Sequence, residues 1–233
     1  MKLVIMQPYL FPYLGYIQLM QVADEFVIYD DAQFTRKGWI NRNRIIGSNG
    51  PQHFTLNLQG ASANKAINEV HIGNNLAKLR KTMEQTYAKA PFLEDGMAFI
   101  DDCFACEDTN LARFLGNSLI LLANRLQLPT KFVWSSELGR NTTLAAQDAV
   151  LDMCEILGAT HYINAEGGKE LYSQADFRSR DMQLSFLHHQ VTEYPQTRNK
   201  SGFEARLSVI DPLMNIGFAG VKAKLKDYDL VEH

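Results

Sequence analysis

Short apolar runs alternate with amphipathic stretches at the start of the chain. Residues 3–6 form an apolar run with β-branched side chains, and residues 26–29 form a second one. Between them, Ile17 and Met20 have the spacing of one helical face. Short bounded apolar runs predict buried strands. The succession of strand, helix and strand therefore predicts a βαβ unit with parallel strands and a right-handed crossover.

The same alternation continues along the whole chain. The pattern predicts further strands at residues 40–45, 53–58, 131–134, 160–164 and 182–188. It predicts helices at residues 76–89, 96–106, 111–126, 144–157 and 208–214, and a charged tail from residue 221 that frays. Such alternation is typical of an α/β fold, here a mostly parallel Rossmann-like sheet flanked by helices. We expect a single domain over residues 1–233, with residues of about 74–128 as a helical lobe.

Composition narrows the class of protein. The chain is 46% hydrophobic and 21% charged, with a net charge of -3, which is typical of a globular protein and argues against a dedicated nucleic-acid binder. Its three cysteines suggest free thiols in a reducing compartment. No apolar stretch approaches the roughly 20 residues of a membrane helix, and no secretory leader is predicted. We therefore expect a cytoplasmic protein with no integral membrane segment.

Polar residues follow most of the predicted strands. In an open α/β sheet, ligands bind outside the carboxyl ends of the strands. The segments that occupy these ends are residues 7–16, 30–33, 135–139, 164–169 and 188–190. We expect them to converge on one cleft.

Two adjacent carboxylates, Asp30 and Asp31, end the second strand. Adjacent strand residues point to opposite faces, so one of the pair is expected to face the cleft. There it could accept a hydroxyl hydrogen bond, bind a metal or act as a base. The structural alternative is that one carboxylate caps a turn and the other pairs with Arg36 or Lys37. The sequence leaves both interpretations open.

Four cations lie within nine residues, interleaved with Trp39, Asn41 and Asn43. They are Arg36, Lys37, Arg42 and Arg44. Such a cluster suits a phosphate or carboxylate, because arginine gives bidentate geometry. A solvated cationic surface is the alternative, but asparagines and a tryptophan are less expected on such a surface. We expect an anion-binding role.

Other candidate motifs carry less information. Gly168 and Lys169 precede a short predicted helix, where backbone amides can bind an anion, although the spacing is not that of a P-loop. His161 lies within a predicted strand, where a hydrogen-bonded structural role is the common alternative to catalysis. Cys103 and Cys106 have C-x-x-C spacing without a second pair, so no zinc site is predicted.

Several stretches together resemble the WbqC-like protein family. In order along the chain they are "MQPYLFPYLGYIQLM", "DEFVIYDDAQFTRKGWINRNRI", "FTLNL", "INEVHI", "LGATHYINAEGGKELY", "YPQ" and "LSVIDPLMNIG". The resemblance covers nearly the whole chain, and the first two stretches are its most distinctive part. Family members are associated with gene clusters for surface polysaccharides such as O-antigen. The resemblance implies a role in surface-glycan synthesis but no shared reaction mechanism.

The resemblance also implies a set of site residues. Near the start they are Gln7, Pro8, Tyr9, Pro12, Tyr13, Gly15, Tyr16, Asp30, Asp31, Arg36, Gly38, Trp39, Asn41, Arg42, Asn43 and Arg44. Later ones are Tyr162, Gly168, Lys169, Tyr194, Pro195, Gln196, Ser208 and Asp211. The chain departs from the family pattern at His53 and at "RNKSGFEARLSVID", residues 198–211. These departures affect the expected shape of the acceptor side of the cleft.

The opening βαβ unit is similar to nucleotidyltransferase-like α/β folds. Those folds have a proline-containing loop and a Gly-His pair at the start of a helix, where this chain has Gly15 and Tyr16. A tyrosine cannot act as a cationic imidazole toward a phosphate at neutral pH. The similarity therefore supports the fold and not nucleotidyl transfer.

These observations lead to three hypotheses of function. The first is acyl or aminoacyl transfer to a nucleotide-linked amino sugar, with Asp31 or His161 assisting proton transfer. The expected substrate-binding residues are Gln7, Tyr9, Tyr13, Gly15, Tyr16, Asp30, Arg36, Lys37, Trp39, Asn41, Arg42, Asn43, Arg44, Gly168 and Lys169. The second is ATP-dependent carboxylate activation, and the third is a non-catalytic binding module in polysaccharide assembly. A nucleotide or an acyl or aminoacyl donor is the candidate co-reactant, and a carrier protein and a second copy of the chain are candidate partners.

Overall fold

A computed structural model describes residues 1–47, 50–197 and 202–232 of the chain. The strands are β1 Lys2–Met6, β2 Glu25–Ile28, β3 Arg42–Gly47, β4 Gly50–Thr55, β5 Leu58–Gln59, β6 His71–Ile72, β7 Lys131–Trp134, β8 His161–Ala165, β9 Gln183–His189 and β10 Tyr228–Glu232. The α-helices are α1 Leu14–Val22, α2 Leu76–Thr86, α3 Leu93–Phe104, α4 Leu111–Leu126, α5 Ala146–Ile156, α6 Gln174–Arg178 and α7 Ile210–Lys224. Short 3-10 helices lie at Ile67–Glu69, Ser135–Glu137 and Glu166–Leu171.

A six-stranded sheet forms the centre of the fold, in the order β10-β9-β8-β1-β2-β7. Strand β1 pairs in parallel with β2 on one side and with β8 on the other. Strands β7 and β9 extend the sheet in parallel, and β10 pairs antiparallel with β9 at one edge. The predicted α/β fold with a mostly parallel sheet is confirmed. Strand order reverses between β1 and β8, so these two strands flank the point where α/β folds bind ligands.

Alternating side chains divide the sheet into two buried faces. Val4 and Phe26 belong to a core that includes residues of α1, α2, α3, α4 and α7. Ile5 and Val27 belong to a second core that includes residues of α5 and α6. Because consecutive strand residues point to opposite faces, one apolar run supplies both cores. Helices therefore cover both sides of β1 and β2.

A small hairpin lies beside the main sheet. Strands β3 and β4 pair antiparallel, with Arg44 opposite His53. In β3, Asn43 and Ile45 are buried, whereas Arg42 and Arg44 are partly exposed. This alternation places the two arginines on the opposite face of the strand from Asn43 and Ile45. The predicted strand at residues 53–58 is wrong in its bounds. Residues 56 and 57 belong to no strand and separate β4 from β5.

The predicted helical stretch is formed by α2, α3 and α4. Arg80 of α2 binds Asp101 of α3 through Nε and Nη2, at 2.6 and 2.9 Å from its two carboxylate oxygens. The three helices share one hydrophobic core with α7 and with one face of the sheet. The lobe therefore packs directly on the rest of the chain.

The predictions for the chain from residue 208 onward are wrong in two respects. The predicted short helix at residues 208–214 extends as α7 to Lys224, with an interruption at Gly217, whose φ is 66°. A Cβ at Gly217 would lie 2.7 Å from the Phe92 ring, so both the conformation and the contact favour glycine. The charged tail does not fray over its described part, because Tyr228–Glu232 pairs with β9. That pairing depends on a tertiary contact and left no periodic pattern in the sequence.

Candidate functional site

The loop after β1 is fixed by hydrogen bonds from two later segments. The side-chain amide of Asn43 donates to the carbonyl oxygens of Leu10 and Phe11, at 3.2 and 2.8 Å. Ser208 Oγ also donates to the Phe11 carbonyl oxygen, at 2.8 Å. Phe11 has a φ of 44°, a left-handed conformation that is uncommon outside glycine. These bonds satisfy the carbonyls of the loop, so Asn43 acts by shaping it.

A cleft of about 350 Å³ opens between this loop, the β3–β4 hairpin and the segment that precedes α7. A cavity of this size is within the range of small-molecule sites. Its lining residues are Tyr9, Pro12, Tyr13, Trp39, Asn43, Arg44 and Arg206. Of these, Arg206 alone was not among the residues singled out from the sequence.

Aromatic rings form much of the cleft wall. Burial raises the pKa of Tyr9 and of Tyr13, so both hydroxyls remain protonated donors at neutral pH. Trp39 is 43% exposed and stacks on His53 at 6.0 Å between ring centroids, with the Arg42 guanidinium 5.8 Å from the indole. An exposed, supported indole is a suitable surface on which to stack a planar ring.

Two arginines give the cleft its positive charge. Arg44 Nη1 forms an ion pair with Glu204 at 3.1 Å, while its Nε is buried without a hydrogen-bond partner among the described residues. Arg206 is exposed and forms no ion pair with a described residue. Its φ of 56° is unusual for a residue with a Cβ, and such strained positions cluster at functional sites. Arg206 is therefore the cleft cation that is free for a ligand.

Asp211, Tyr194 and Gln196, which the resemblance implies as site residues, hold the segment that carries Glu204 and Arg206. Buried Asp211 accepts hydrogen bonds from the hydroxyls of Tyr87 and Tyr194, at 2.7 and 2.8 Å. The Gln196 side chain bonds both the carbonyl oxygen and the N–H of Glu204, at 2.8 and 2.9 Å. Burial raises the pKa of Asp211, and the hydroxyl donors partly offset that rise. Residues 198–201, which open the segment that departs from the family pattern, lie outside the described residues.

The four cations predicted to act together are separated by the structure. Arg42 Nε donates to the Gly38 carbonyl oxygen at 2.9 Å, and its Nη2 donates to that of Lys37, which stabilises the turn. Arg36 and Lys37 are exposed on that turn and do not line the cleft. Asn41 donates to the Leu56 carbonyl oxygen at 2.8 Å, a bond within the hairpin. The cleft therefore combines Arg44 with Arg206 from a distant segment.

The two strand-end carboxylates lie in a hydrogen-bonded network at the ends of β2 and β7. Asp30 is 1% exposed and accepts bonds from Ser135 Oγ at 2.9 Å and from the N–H and Oγ of Ser136 at 3.0 and 2.6 Å. Asp31 Oδ2 accepts from Arg140 Nε and Nη2 at 3.0 and 2.6 Å. Both carboxylates are thereby fully engaged, and Asp31 is paired with a cation that the sequence did not single out.

The 3-10 helix that follows β8 carries a cluster of charged side chains near Tyr13. Glu166 interacts with His188 Nδ1 at 2.5 Å and with Lys169 Nζ at 3.5 Å. Hydrogen bonding to His188 is the largest cause that lowers the pKa of Glu166. Gly168 is buried, and a Cβ there would lie 3.3 Å from Asn164 Nδ2. Lys169 is thus occupied by a neighbouring acid, and Gly168 allows close packing within the turn.

His161 lies at the amino ends of the parallel strands, whereas the cleft follows their carboxyl ends. It begins β8 and pairs in register with Lys2, at the amino end of β1. Its Nε2 is 2.9 Å from Ser185 Oγ, and burial lowers its pKa. The structure does not bring His161 together with the cleft residues.

Three residues of the opening loop shape the site without lining it. Tyr16 is fully buried, and its hydroxyl donates to the Gln7 carbonyl oxygen at 2.8 Å. The position where nucleotidyltransferase-like folds carry a histidine is therefore closed to a ligand. A Cβ at Gly15 would lie 2.4 Å from the Tyr13 ring, so this glycine allows the ring its place in the cleft. The Gln7 side chain makes a long contact of 3.4 Å with the Gln33 carbonyl oxygen.

A histidine behind Tyr13 has a defined tautomer. Gln18 Nε2 donates to the carbonyl oxygens of Lys224 and Asp227, at 3.1 and 3.0 Å. Its Oε1 must then accept from His189 Nδ1, 2.8 Å away, so Nδ1 carries the proton. Burial, followed by Arg206, lowers the pKa of His189 to about 4. The sequence placed His189 at a strand end, but the partner that fixes it is 171 residues away.

Two absences apply to the part of the chain that the structure describes. No group of three or more His, Cys, Asp or Glu side chains there could hold a metal ion. No helix over the same residues is long and apolar enough to span a membrane.

The chain is similar in sequence to known proteins. The model of the WbqC-like protein family matches residues 7–223. A protein of Mycobacterium tuberculosis (strain ATCC 25618 / H37Rv), described as uncharacterized protein Rv1507c, is 27% identical over 223 residues, which cover 93% of this chain and 94% of that protein. No solved structure matched the chain. Because the family model spans almost the whole sequence, this chain belongs to the WbqC-like protein family.

Proposed function

We propose that the chain binds a nucleotide-linked amino sugar in the cleft and transfers an acyl or aminoacyl group to the sugar amine. The observation that carries the proposal is the combination of aromatic rings with the two arginines Arg44 and Arg206 in one cleft. Aromatic surfaces stack nucleobases and sugars, and arginine binds phosphate oxygens in pairs. The family resemblance to proteins of surface-glycan gene clusters supports the same substrate class.

The charges define how such a ligand would lie. Arg206 can bind a diphosphate directly. Arg44 can do so only if its ion pair with Glu204 is broken or if it binds both groups at once. Trp39 stands at the exposed rim, which suits the nucleobase, and Tyr13 lies deeper, next to Arg206. The sugar would then lie toward the carboxyl ends of β8 and β9. In the transfer itself, the amine nitrogen bonds the acyl carbon, loses one proton and replaces the leaving group of the donor.

Binding is the first test. Isothermal titration with UDP-linked and dTDP-linked amino sugars should give saturable binding. Loss of a charge-assisted hydrogen bond costs about 1.5–3 kcal/mol, so Arg206→Ala should weaken binding roughly 10–150-fold. Arg178→Ala removes an exposed arginine at the end of α6, away from the cleft, and serves as the matched control. The proposal fails if neither class of nucleotide sugar binds, or if both variants lose affinity equally.

The reaction is tested separately. Mass spectrometry of the nucleotide amino sugar after incubation with activated acyl and aminoacyl donors should detect a mass increase equal to the acyl group minus one hydrogen. Pyrophosphate released from ATP by a carboxylate alone would instead support carboxylate activation. Saturable sugar binding without any product in either assay would favour the non-catalytic binding module.

A further inference from the structure

A second cavity lies on the other face of the sheet from α1. It measures about 150 Å³ and is lined by Ile5, Tyr29, Ala146, Gln147, Val150, Leu171 and Tyr172. Its walls come from the ends of β1 and β2, the first turns of α5, and the 3-10 helix after β8. This apolar pocket therefore lies at the carboxyl ends of the parallel strands, as the cleft does.

The polar side chains that line the pocket are engaged, except for the Tyr29 hydroxyl, which forms no hydrogen bond with a described residue. Gln147 is its only lining residue with a side-chain amide, and both ends of that amide are engaged. Its Nε2 donates to Asp176 at 2.6 Å, and its Oε1 accepts from the Ser173 N–H at 2.5 Å. The Tyr172 hydroxyl lies 3.3 Å from that of Tyr162. An occupant would thus gain apolar contact and little hydrogen bonding.

Charge near the pocket is already neutralised. The Arg140 guanidinium lies 5.3 Å from the Tyr29 ring centroid and is bound by Asp31. Leu171, at the rim, is 67% exposed, which is unusual for a leucine beside an apolar cavity. An uncharged group that fills the pocket would cover part of this leucine.

The size of the pocket limits the occupant. Apolar cavities of about 150 Å³ in other proteins hold a molecule the size of benzene. An acyl group of up to about six non-hydrogen atoms therefore fits. Ile5 lines the pocket and Tyr9 lines the cleft, and four residues span at most about 14 Å. The pocket and the cleft thus flank the end of β1 at a separation that one donor and one acceptor can bridge.

We infer that this pocket binds the apolar part of the transferred acyl group, an uncharged chain of about four to six non-hydrogen atoms. The inference rests on the proposed acyl transfer for the identity of the occupant. It gives the two substrates separate sites on the two faces of β1. It also predicts that long acyl chains are excluded, since the pocket ends against α5.

The probe is butanamide, a neutral mimic of a short acyl group, with decanamide as the long-chain comparison. In methyl-labelled protein, butanamide should shift the resonances of Ile5, Val150 and Leu171 saturably, with a dissociation constant on the order of millimolar for so small a ligand. Decanamide should cause no saturable shift. If butanamide leaves these methyl groups unchanged, or if decanamide binds equally well, the inference is wrong.

Variants separate the pocket from a general surface effect. Val150→Phe should fill the cavity and abolish butanamide binding. Leu171→Glu changes an exposed rim residue, so the fold is retained, and it should weaken binding at least fivefold. Ile156→Glu is the matched control, because Ile156 is 45% exposed on α5 but does not line the pocket. Equal effects of the two glutamate variants, or no effect of Leu171→Glu, would overturn the inference.

The same samples distinguish this inference from the proposed function. Binding of the UDP-linked amino sugar should be weakened in Arg206→Ala by the factor given above and kept in Leu171→Glu. Sugar binding without butanamide binding refutes the acyl pocket alone. Butanamide binding without any nucleotide-sugar binding supports an apolar site and refutes the proposed substrate.

Discussion

The pair formed by Asp31 and Arg140 gives the sharpest stability prediction. Asp31 is a candidate base by its place in the sequence, yet its carboxylate accepts two bonds from a guanidinium that is only 6% exposed. Asp31→Asn keeps the shape of the side chain and removes its charge. It leaves the Arg140 cation buried without a counter-charge, which is the costly way to break such a pair.

The magnitude follows from the burial of the two partners. Breaking a buried ion pair by removing one partner costs about 3–5 kcal/mol, and the 15% exposure of Asp31 places this pair near the lower limit. A loss of about 3 kcal/mol corresponds to a fall in Tm of about 6–12 °C in a domain of this size. Urea unfolding followed by circular dichroism measures the free energy of unfolding, and thermal scans measure Tm.

Two further variants make the test specific. Asp31→Leu combined with Arg140→Met removes both charges and should recover most of the lost stability. Asp102→Asn breaks the exposed pair with Arg125, in which both side chains are 49% exposed, and should cost less than about 1 kcal/mol. If Asp31→Asn lowers the free energy of unfolding by less than about 0.5 kcal/mol, the carboxylate is not structural and the reasoning fails.

Three other predictions concern the opening loop and the histidine behind it. Tyr16→Phe removes the buried hydrogen bond to the Gln7 carbonyl oxygen and should lower the free energy of unfolding in urea by about 1–2 kcal/mol. Nucleotide-sugar affinity should stay unchanged, and a large loss of affinity would make Tyr16 a ligand contact. Gly15→Ala should displace the Tyr13 ring and weaken sugar binding in calorimetry with little change in Tm, and unchanged affinity would contradict the role assigned to this glycine. The pKa of His189 is 6.5 in the unfolded chain and about 4 in the folded chain, so protonation favours the unfolded chain. The free energy of unfolding should therefore fall by roughly 1–2 kcal/mol as the pH decreases from 6.5 to 4, a value reduced for the partial exposure of His189. NMR titration of His189 checks this, and a midpoint above 6 would refute it.

The βαβ unit was predictable because it depends on local patterns. The apolar runs that became β1 and β2 are short and bounded by polar residues. Ile17 and Met20 have helical spacing between them, although α1 is buried on every side from Leu14 to Met20. The loop after β1 was also placed correctly at a strand end, since that placement needs only the order of elements. Trp39 could be identified because an indole beside several cations is unusual on a solvated surface.

The composition of the cleft could not be predicted in the same way. Arg206 reaches it because Asp211, Tyr194 and Gln196 hold its segment, and these contacts join residues far from the opening loop. Asp31 looked available because its partner Arg140 lies 109 residues further along the chain. Such pairings depend on the packed core, and no local pattern contains them.

The position of β1 has a consequence for the order in which the protein folds. This strand lies in the middle of the sheet, but its neighbour β8 is about 160 residues later, and Ser208 holds the loop that follows β1. Contacts of such long sequence separation close slowly, because the loop-closure entropy is lost before they form. During synthesis, the second edge of β1 therefore stays unpaired until β8 has been made, when about two thirds of the chain is complete. A ligand that binds the cleft would stabilise only chains that have completed this last step, and protease protection in the opening loop should appear late in refolding.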